Sequence, residues 1–441
     1  MAFSRLFCDF YRRNRLAILV LLPVFFATAA ILFIGMPILE RHAAYRYSLG
    51  FADSYELLAT NLANGDGYRW HSDMAGTMTR EPGYPLLLAA AFKIAGCCCI
   101  EAARLLNLLL TVGIAVMLMA LARKMTDDPR APVIAALVFL VHPGTLIAEA
   151  RGGVEILFIL VGFGFVLALY KAVEKGGLWR YLLAGLAFGV VVQVRSTPIA
   201  FPVLLLLYAL FTATGAHERL MGAVRVATLV VGMGLVMVPW VVRNYRLVHE
   251  FVPFSTISGL ASQEGLYICR NVSFGVDDYK VTQEAGRIRG QLARDLGMRF
   301  EGVEYFQMFY DAHDELAFNR ILSETAGKEY ASNPGLLAGC VAKNFFNLWS
   351  LGKTWNVTKL NALLQVPLLA LVFYGLRIVW RRGDLRKMGI LLIYAGSMAI
   401  MHLLVIAEAR YSIPVLAFLA IPAGVAVTSI WDEVRTHTRL A

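Results

Sequence analysis

The chain has 441 residues, of which 58% are hydrophobic and only 16% charged, with a formal net charge of +10. Soluble domains carry nearer a quarter charged residues, so an ordinary soluble fold is excluded. The positive balance does not point to nucleic acid: Lys and Arg sit largely in short connections between apolar runs, where they orient a membrane chain.

The N-terminal R-L-F-C-D-F-Y-R-R-N-R precedes an apolar run over 16–39. That run is longer than a signal-peptide core and lacks a clear small-residue cleavage site, so it reads as a retained first span. Runs long enough to cross a bilayer follow, giving spans near 16–38, 103–121, 131–148, 154–171, 180–194, 197–213, 222–241, 360–379, 388–406 and 411–430. The predicted fold is an all-α polytopic membrane protein with about ten transmembrane helices and juxtamembrane helices in the first outer loop. Connections holding Arg123 and Lys124, Lys171 and Lys175, His217 and Arg225, and Arg377 and Lys387, together with both termini, are basic and therefore cytoplasmic. The apolar but short segment 83–96, carrying Lys93, is expected in or near the outer interface. Three parts result: a membrane catalytic module over 1–242 with the first outer loop 40–102, a periplasmic loop with amphipathic helices over 243–359, and C-terminal membrane helices over 360–441.

In the first outer loop, 51–68 read F-A-D-S-Y-E-L-L-A-T-N-L-A-N-G-D-G-Y. They predict a helix with Tyr55, Leu58 and Leu62 on its apolar face, ending at the turn 64–67. Asp53 with Glu56 three residues on fits a capping box; the same carboxylate beside a bilayer is also placed to act as a base on an acceptor. Arg80, Glu81 and Tyr84 share the stiff turn R-E-P-G-Y-P, where Arg80 is either a snorkelling cation or a phosphate ligand. Pro143 is expected to kink a span. Glu155, near Arg151, begins the next one, where an acid is costly unless paired or functional; a salt bridge to Arg151 or Arg195 is its plain role.

Arg195, Arg243 and Arg410, in V-Q-V-R-S-T-P, P-W-V-V-R-N-Y and I-A-E-A-R-Y-S-I-P, fall at outer span ends. With Arg80 and Arg151 they suggest an anion-binding pocket rather than orientation signals, because basic residues are disfavoured on that side. Farther along, Ala317, Ile321, Leu322 and Thr325 suggest an amphipathic helix. The F-F-N-L-W-S-L-G-K-T-W stretch reads as interfacial. Cys97, Cys98 and Cys99 suit neither zinc nor a loop-closing bridge, while Cys269 and Cys340 are left open as a pair. No Walker loop, G-x-S-x-G elbow, H-E-x-x-H pair or paired carboxylates appear, so neither a metal nor another cofactor is indicated, with Asp66 and Asp73 the acids left in reserve in the first outer loop.

Taken together, the loop aspartate, the R-E-P-G-Y-P turn, the H-P and glutamate pair, V-R-S-T-P, P-W-V-V-R-N-Y and R-Y-S-I-P resemble the GT-C glycosyltransferases. Within them the likeness is to the protein O-mannosyltransferase and lipid A aminoarabinose transferase superfamily, in its short bacterial form. The resemblance implies a metal-independent, inverting transferase in the bacterial inner membrane. It would take a sugar from a polyprenyl phosphate on the periplasmic face and pass it to a glycan, lipid or protein acceptor. Asp53 matches the family's loop aspartate, thought to act as base; Arg80 matches a basic residue near the donor phosphate, and Glu155 an acid at the cavity edge. On this reading Asp53 and Glu155 are catalytic, and Arg80, Glu81, Tyr84, Arg151, Arg195, Arg243 and Arg410 bind substrate. The chain lacks the paired acidic motif and extra lumenal domain of protein mannosyltransferases, and the large C-terminal domain of oligosaccharyltransferases. The competing reading is a transporter or flippase for a lipid-linked or anionic solute, its arginines lining a path.

Overall fold

The computed structural model describes residues 2–41, 50–273, 275–302 and 306–440, without the side chains of 2–14 and 439–440. Part of the first outer loop (42–49), four residues of the long loop and the basic side chains ahead of Arg15 therefore lie outside the described residues.

Every predicted apolar run is helical. The first comprises α1 (Ala2–Ala30), a π-helical turn (Ile31–Gly35) and α2 (Met36–Glu40). In the outer loop α3 (Tyr55–Asn64) and α4 (Gly83–Ala95) follow, then α5 (Ile100–Met125), α6 (Ala131–Leu140), α7 (Pro143–Ala150), α8 (Val154–Lys175), α9 (Leu178–Val194), α10 (Phe201–Thr212) and α11 (Ala216–Val248). The long loop holds α12 (Ile257–Asn271), α13 (Asp278–Asp295), a two-stranded hairpin of β1 (Phe300–Glu301) and β2 (Met308–Phe309), α14 (Ala312–Ser332) and α15 (Pro334–Ser350). Then come α16 (Trp355–Arg381), α17 (Leu385–Leu404) and α18 (Ser412–Leu440).

Among the described residues, seven helical stretches are long and apolar enough to cross a bilayer. An eighth is the pair α6 and α7, bent by 54°. The bend has a local cause: His142, ahead of Pro143, is driven into an extended conformation. At about 1.5 Å per residue, α9 and α10 are shorter than a bilayer core of about 30 Å. The same holds for α4, the segment expected at an interface.

Small residues let the helices approach. A Cβ at Gly185 in α9 would lie 2.1 Å from the Leu229 carbonyl oxygen of α11, and one at Gly232 would lie 2.4 Å from that of Leu182. Without a hydrophobic drive between lipid-immersed helices, such backbone contact is what van der Waals packing has to work with. Phe165, Phe188, Phe201 and Tyr394 fill the centre of the bundle, with ring centroids 4.8 to 5.6 Å apart.

The outer helices pack on this bundle. Cys269 and Cys340 are joined, tying α12 to α15. The sulfurs of Cys97 and Cys99 face each other across a two-residue step, which closes no loop, and Cys98 between them is a free thiol. In α14 the buried face is only partly the expected one: Leu322 is buried and Ile321 half-buried. Ala317 and Thr325 are exposed, and the stripe against the protein runs Glu315, Phe318, Leu322 and Ala326, because the buried carboxylate of Glu315 fixes the helix rotation through three hydrogen bonds to other elements.

Candidate active site

The chain enters α3 through two consecutive residues in the left-handed region, Asp53 at φ 61° and Ser54 at φ 58°. For residues with a Cβ this costs roughly 1–2 kcal/mol each. Surrounding contacts hold the conformation: the Ala52 amide donates to the Arg151 carbonyl at 3.0 Å, and Arg80 Nη2 donates to the Asp53 carbonyl at 3.3 Å. One consequence is that the capping box does not form. The N-cap position falls to Ser54 without a side-chain bond, and the Asp53 carboxylate turns away from the helix.

That carboxylate meets Arg410, on a 3-10 turn (Ala409–Tyr411) between α17 and α18. Arg410 Nη1 lies 3.0 and 3.2 Å from the two Asp53 oxygens, and its Nη2 donates to the Tyr411 hydroxyl at 2.9 Å. Residues 357 positions apart thus form one charge pair. Burial raises the Asp53 pKa, but Arg410 and then Arg80 lower it further, leaving it well below the usual carboxylate range.

Arg80 differs from Arg410. Its guanidinium lies between the rings of Tyr55 and Phe306, at 5.3 and 5.2 Å. Among the described residues it has no ion-pair partner, and its buried Nε has no hydrogen-bond partner. A cation held by aromatic faces, with donors still open, suits an anionic ligand.

A cavity of about 420 Å³ opens over these groups, with Asp53, Arg80, Arg151, Lys353, Glu408 and Arg410 on its wall. Lys353 Nζ is 3.1 Å from both Asp278 and Glu408, and Glu408 in turn is 3.5 Å from Arg410 Nε. Charges therefore alternate along Asp53, Arg410, Glu408, Lys353 and Asp278. Burial and then the Glu408 charge raise the Asp278 pKa to about 6, against the pull of Lys353. Among the described residues, no group of three His, Cys, Asp or Glu stands together as metal ligands would.

Several expected site residues stand elsewhere. Arg243 is not on the cavity wall: its guanidinium donates to the carbonyls of Thr77 at 2.7 Å and Tyr68 at 3.1 Å, and to Asn244 Oδ1 at 2.9 Å. It ties α11 to the loop ahead of Arg80, where the Thr77 carbonyl takes its donor from Arg243 and the Tyr68 carbonyl accepts from both Arg243 and the Thr77 amide. Glu81 is buried, accepting from the hydroxyls of Ser196 and Ser255 at 2.6 and 2.9 Å. Tyr84 is fully buried and donates to the Gly152 carbonyl at 2.5 Å, its ring edge-on to Tyr55. Glu155 and Arg195 pair with each other at 3.4 Å behind the wall, with the Arg195 guanidinium over the Tyr411 ring; the ion pair keeps both charges inside. Arg151 does reach the cavity, and its Nε donates to the Gly50 carbonyl at 3.3 Å.

Lys353, Glu408 and Asp278 were not anticipated as site residues. Lys353 lies inside the aromatic stretch that reads as interfacial. The one available signal was a lone cation among those aromatic residues.

Residues 79–242 match the family model described as dolichyl-phosphate-mannose-protein mannosyltransferase, which bears out the superfamily resemblance read from the sequence. No curated protein matches the chain. Among solved structures, an oligosaccharyltransferase of Archaeoglobus fulgidus, tethered to an acceptor peptide containing the NVT sequon, is similar at TM-score 0.48 and 14% identity. That similarity covers 89% of this chain and 47% of the other, so the chain spans about half the length of that protein. ArnT from Cupriavidus metallidurans is similar both bound to undecaprenyl phosphate (TM-score 0.39, 16% identity, 93% of this chain and 78% of that one) and in the apo state (TM-score 0.38, 15% identity, 92% and 76%).

Proposed function

We propose that this GT-C-type membrane protein, with its mannosyltransferase family match over 79–242, transfers a sugar from a polyprenyl-phosphate-linked donor to an acceptor hydroxyl. The observation that carries the reading is the Asp53 carboxylate held by Arg410 on the wall of a cavity that also presents the open guanidinium of Arg80. In the reaction the acceptor O–H proton passes to Asp53, and the acceptor oxygen bonds to the anomeric carbon. The bond from that carbon to the phosphate oxygen breaks, and its electron pair leaves with the polyprenyl phosphate. A single displacement of this kind inverts the anomeric centre, and no metal takes part in the step. Arg80 and Arg410, with Lys353 nearby, neutralise the departing phosphate. Arg195 and Arg243, also expected around the phosphate, are instead positioning residues.

The depressed pKa gives the reaction an order. A carboxylate held by two arginines is a weak base, so it gains strength only when one of them is drawn away. A donor phosphate competes for Arg410, and its arrival loosens the Asp53 pair. Donor binding thus prepares the base before the acceptor reacts. The site faces the periplasm of a bacterial inner membrane, with both termini in the cytoplasm, as the distribution of Lys and Arg favours. The acceptor is a lipid, glycan or protein hydroxyl.

The test is release of polyprenyl phosphate from a purified polyprenyl-phosphate sugar by the full chain in detergent, where no transport across a membrane contributes. Asp53→Asn should lower the rate by about 10²- to 10⁴-fold, the range of a general base. A variant rate equal to that of the parent protein would remove the base assignment.

A further inference from the structure

A second cavity, of about 690 Å³, lies at the opposite end of the bundle. α8 begins at Val154, beside the Glu155 and Arg195 pair, and ends at Lys175. Its 22 residues, at about 1.5 Å each, put those ends about 33 Å apart. The second cavity is lined from the far end of α8, where Leu169 and Val173 stand, and from the ends of α5, α10, α11 and α17 that are likewise remote from Asp53.

Its wall and rim differ in character. On the lining, Leu169 and Leu205 are buried and Met221 is half-buried, while Arg225, Arg386 and Lys387 are exposed and mark the rim. Lys124 is held by Glu174 at 2.7 Å, and the Glu218 carboxylate, an acid that stays on the lining, accepts from the neutral amide and hydroxyl of Thr214 at 2.8 and 2.9 Å. Lys387 is paired with Asp384 at 2.8 Å. Among the described residues Arg225 and Arg386 have no ion-pair partner; Arg225 is only near the Tyr181 ring, at 5.8 Å.

We infer that this cavity binds an anionic phospholipid, its phosphate between Arg225 and Arg386 and the upper part of its chains against the apolar wall. A soluble anion would meet the arginines but leave the apolar interior uncovered, and a neutral lipid would do the reverse. Only an amphiphile with a phosphate head complements both surfaces, and basic pockets between helix ends on the cytoplasmic side are where such head groups are held. The inference is independent of the transfer chemistry, since none of these residues approaches Asp53.

The full chain is reconstituted in nanodiscs of equimolar phosphatidylglycerol and phosphatidylcholine, extracted, and its retained lipids measured by native mass spectrometry. The protein should retain phosphatidylglycerol over phosphatidylcholine by roughly ten-fold or more. The double variant Arg225→Gln, Arg386→Gln should lose that preference, and Ala209→Phe, which narrows the cavity with the charges intact, should weaken retention of both lipids. Equal retention of the two lipids by the parent protein, or an unchanged preference in the double variant, would overturn the inference. So would displacement of phosphatidylglycerol by excess inorganic phosphate, which would point to a soluble anion. Should Ala209→Phe fail to fold, the double variant still decides, because both arginines are exposed.

Discussion

Two carboxylates meet the same outer loop, Glu315 buried and Asp53 half-buried on the cavity wall, and they are handled in opposite ways. Glu315 accepts from the Thr77 and Thr256 hydroxyls, each at 2.5 Å, and from the Met78 amide at 2.9 Å. All three donors are neutral, and burial raises its pKa in spite of them. Asp53 is met by guanidinium groups, which hold its pKa far down. Glu315 is surrounded by neutral donors of the protein itself and is therefore architecture. Asp53 has a partner that a phosphate can take, so its pairing is exchangeable. A polar group in a membrane protein is suited to chemistry when its partner can leave, and burial alone does not distinguish the two cases.

The comparison is broken most directly by exchanging arginines. Arg80→Gln should lower the rate of sugar transfer by about 10²- to 10³-fold, as for loss of one charge-stabilising donor, with little change in thermal unfolding. Arg243→Gln should do the reverse, leaving the rate of the folded protein within a few-fold while removing about 1–3 kcal/mol of stability, chiefly through the orphaned Thr77 carbonyl. Rate and melting temperature measured on both variants decide the matter; equal rate losses would put Arg243 back among the phosphate ligands.

Next in size is Glu315→Ala, which leaves two hydroxyls and an amide without their acceptor. A loss of about 2–4 kcal/mol is expected, read as a lower melting temperature of the full chain in detergent. A melting temperature unchanged by this substitution would show that the loop is held by other contacts.

The smallest effect is a pH dependence. The Asp278 carboxyl is raised to about 6, so between about pH 4 and 6 the folded protein binds more protons than the unfolded chain. Stability then falls as pH rises through that window, and the penalty, about 3 kcal/mol at most, persists above it. Asp278→Asn should remove this decline. Asp53 has the opposite sign, with a folded pKa below its unfolded value, so its pairing contributes fully at neutral pH and is lost only in strong acid. A melting temperature that rises between pH 4 and 6 would show that the Lys353 pairing outweighs burial.

The spans were legible because bilayer length imposes a long apolar run on each helix, and His142 and Pro143 announced their own bend. Asp53, Arg80, Arg151 and Arg410 were legible as a group because cations recur at one set of span ends. Other parts were hidden for physical reasons. Whether Asp53 caps a helix depends on backbone angles that the capping-box pattern does not encode. Arg243 is engaged by loop carbonyls 166 and 175 residues away, and carbonyls leave no mark in a sequence. Lys353 joins the site through Glu408 and Asp278, which are distant in the chain and unremarkable in their own surroundings. The helix face of α14 was partly misjudged because an acid, Glu315, occupies the buried side.

The exchange of Arg410 between carboxylate and phosphate is the central claim, and the affinity of the full chain for polyprenyl phosphate tests it most directly. With Asp53→Asn the competing charge is gone, so the variant should bind polyprenyl phosphate more tightly than the parent protein while transferring sugar at a small fraction of its rate. Weaker binding by the variant, or tighter binding with transfer intact, would contradict the account.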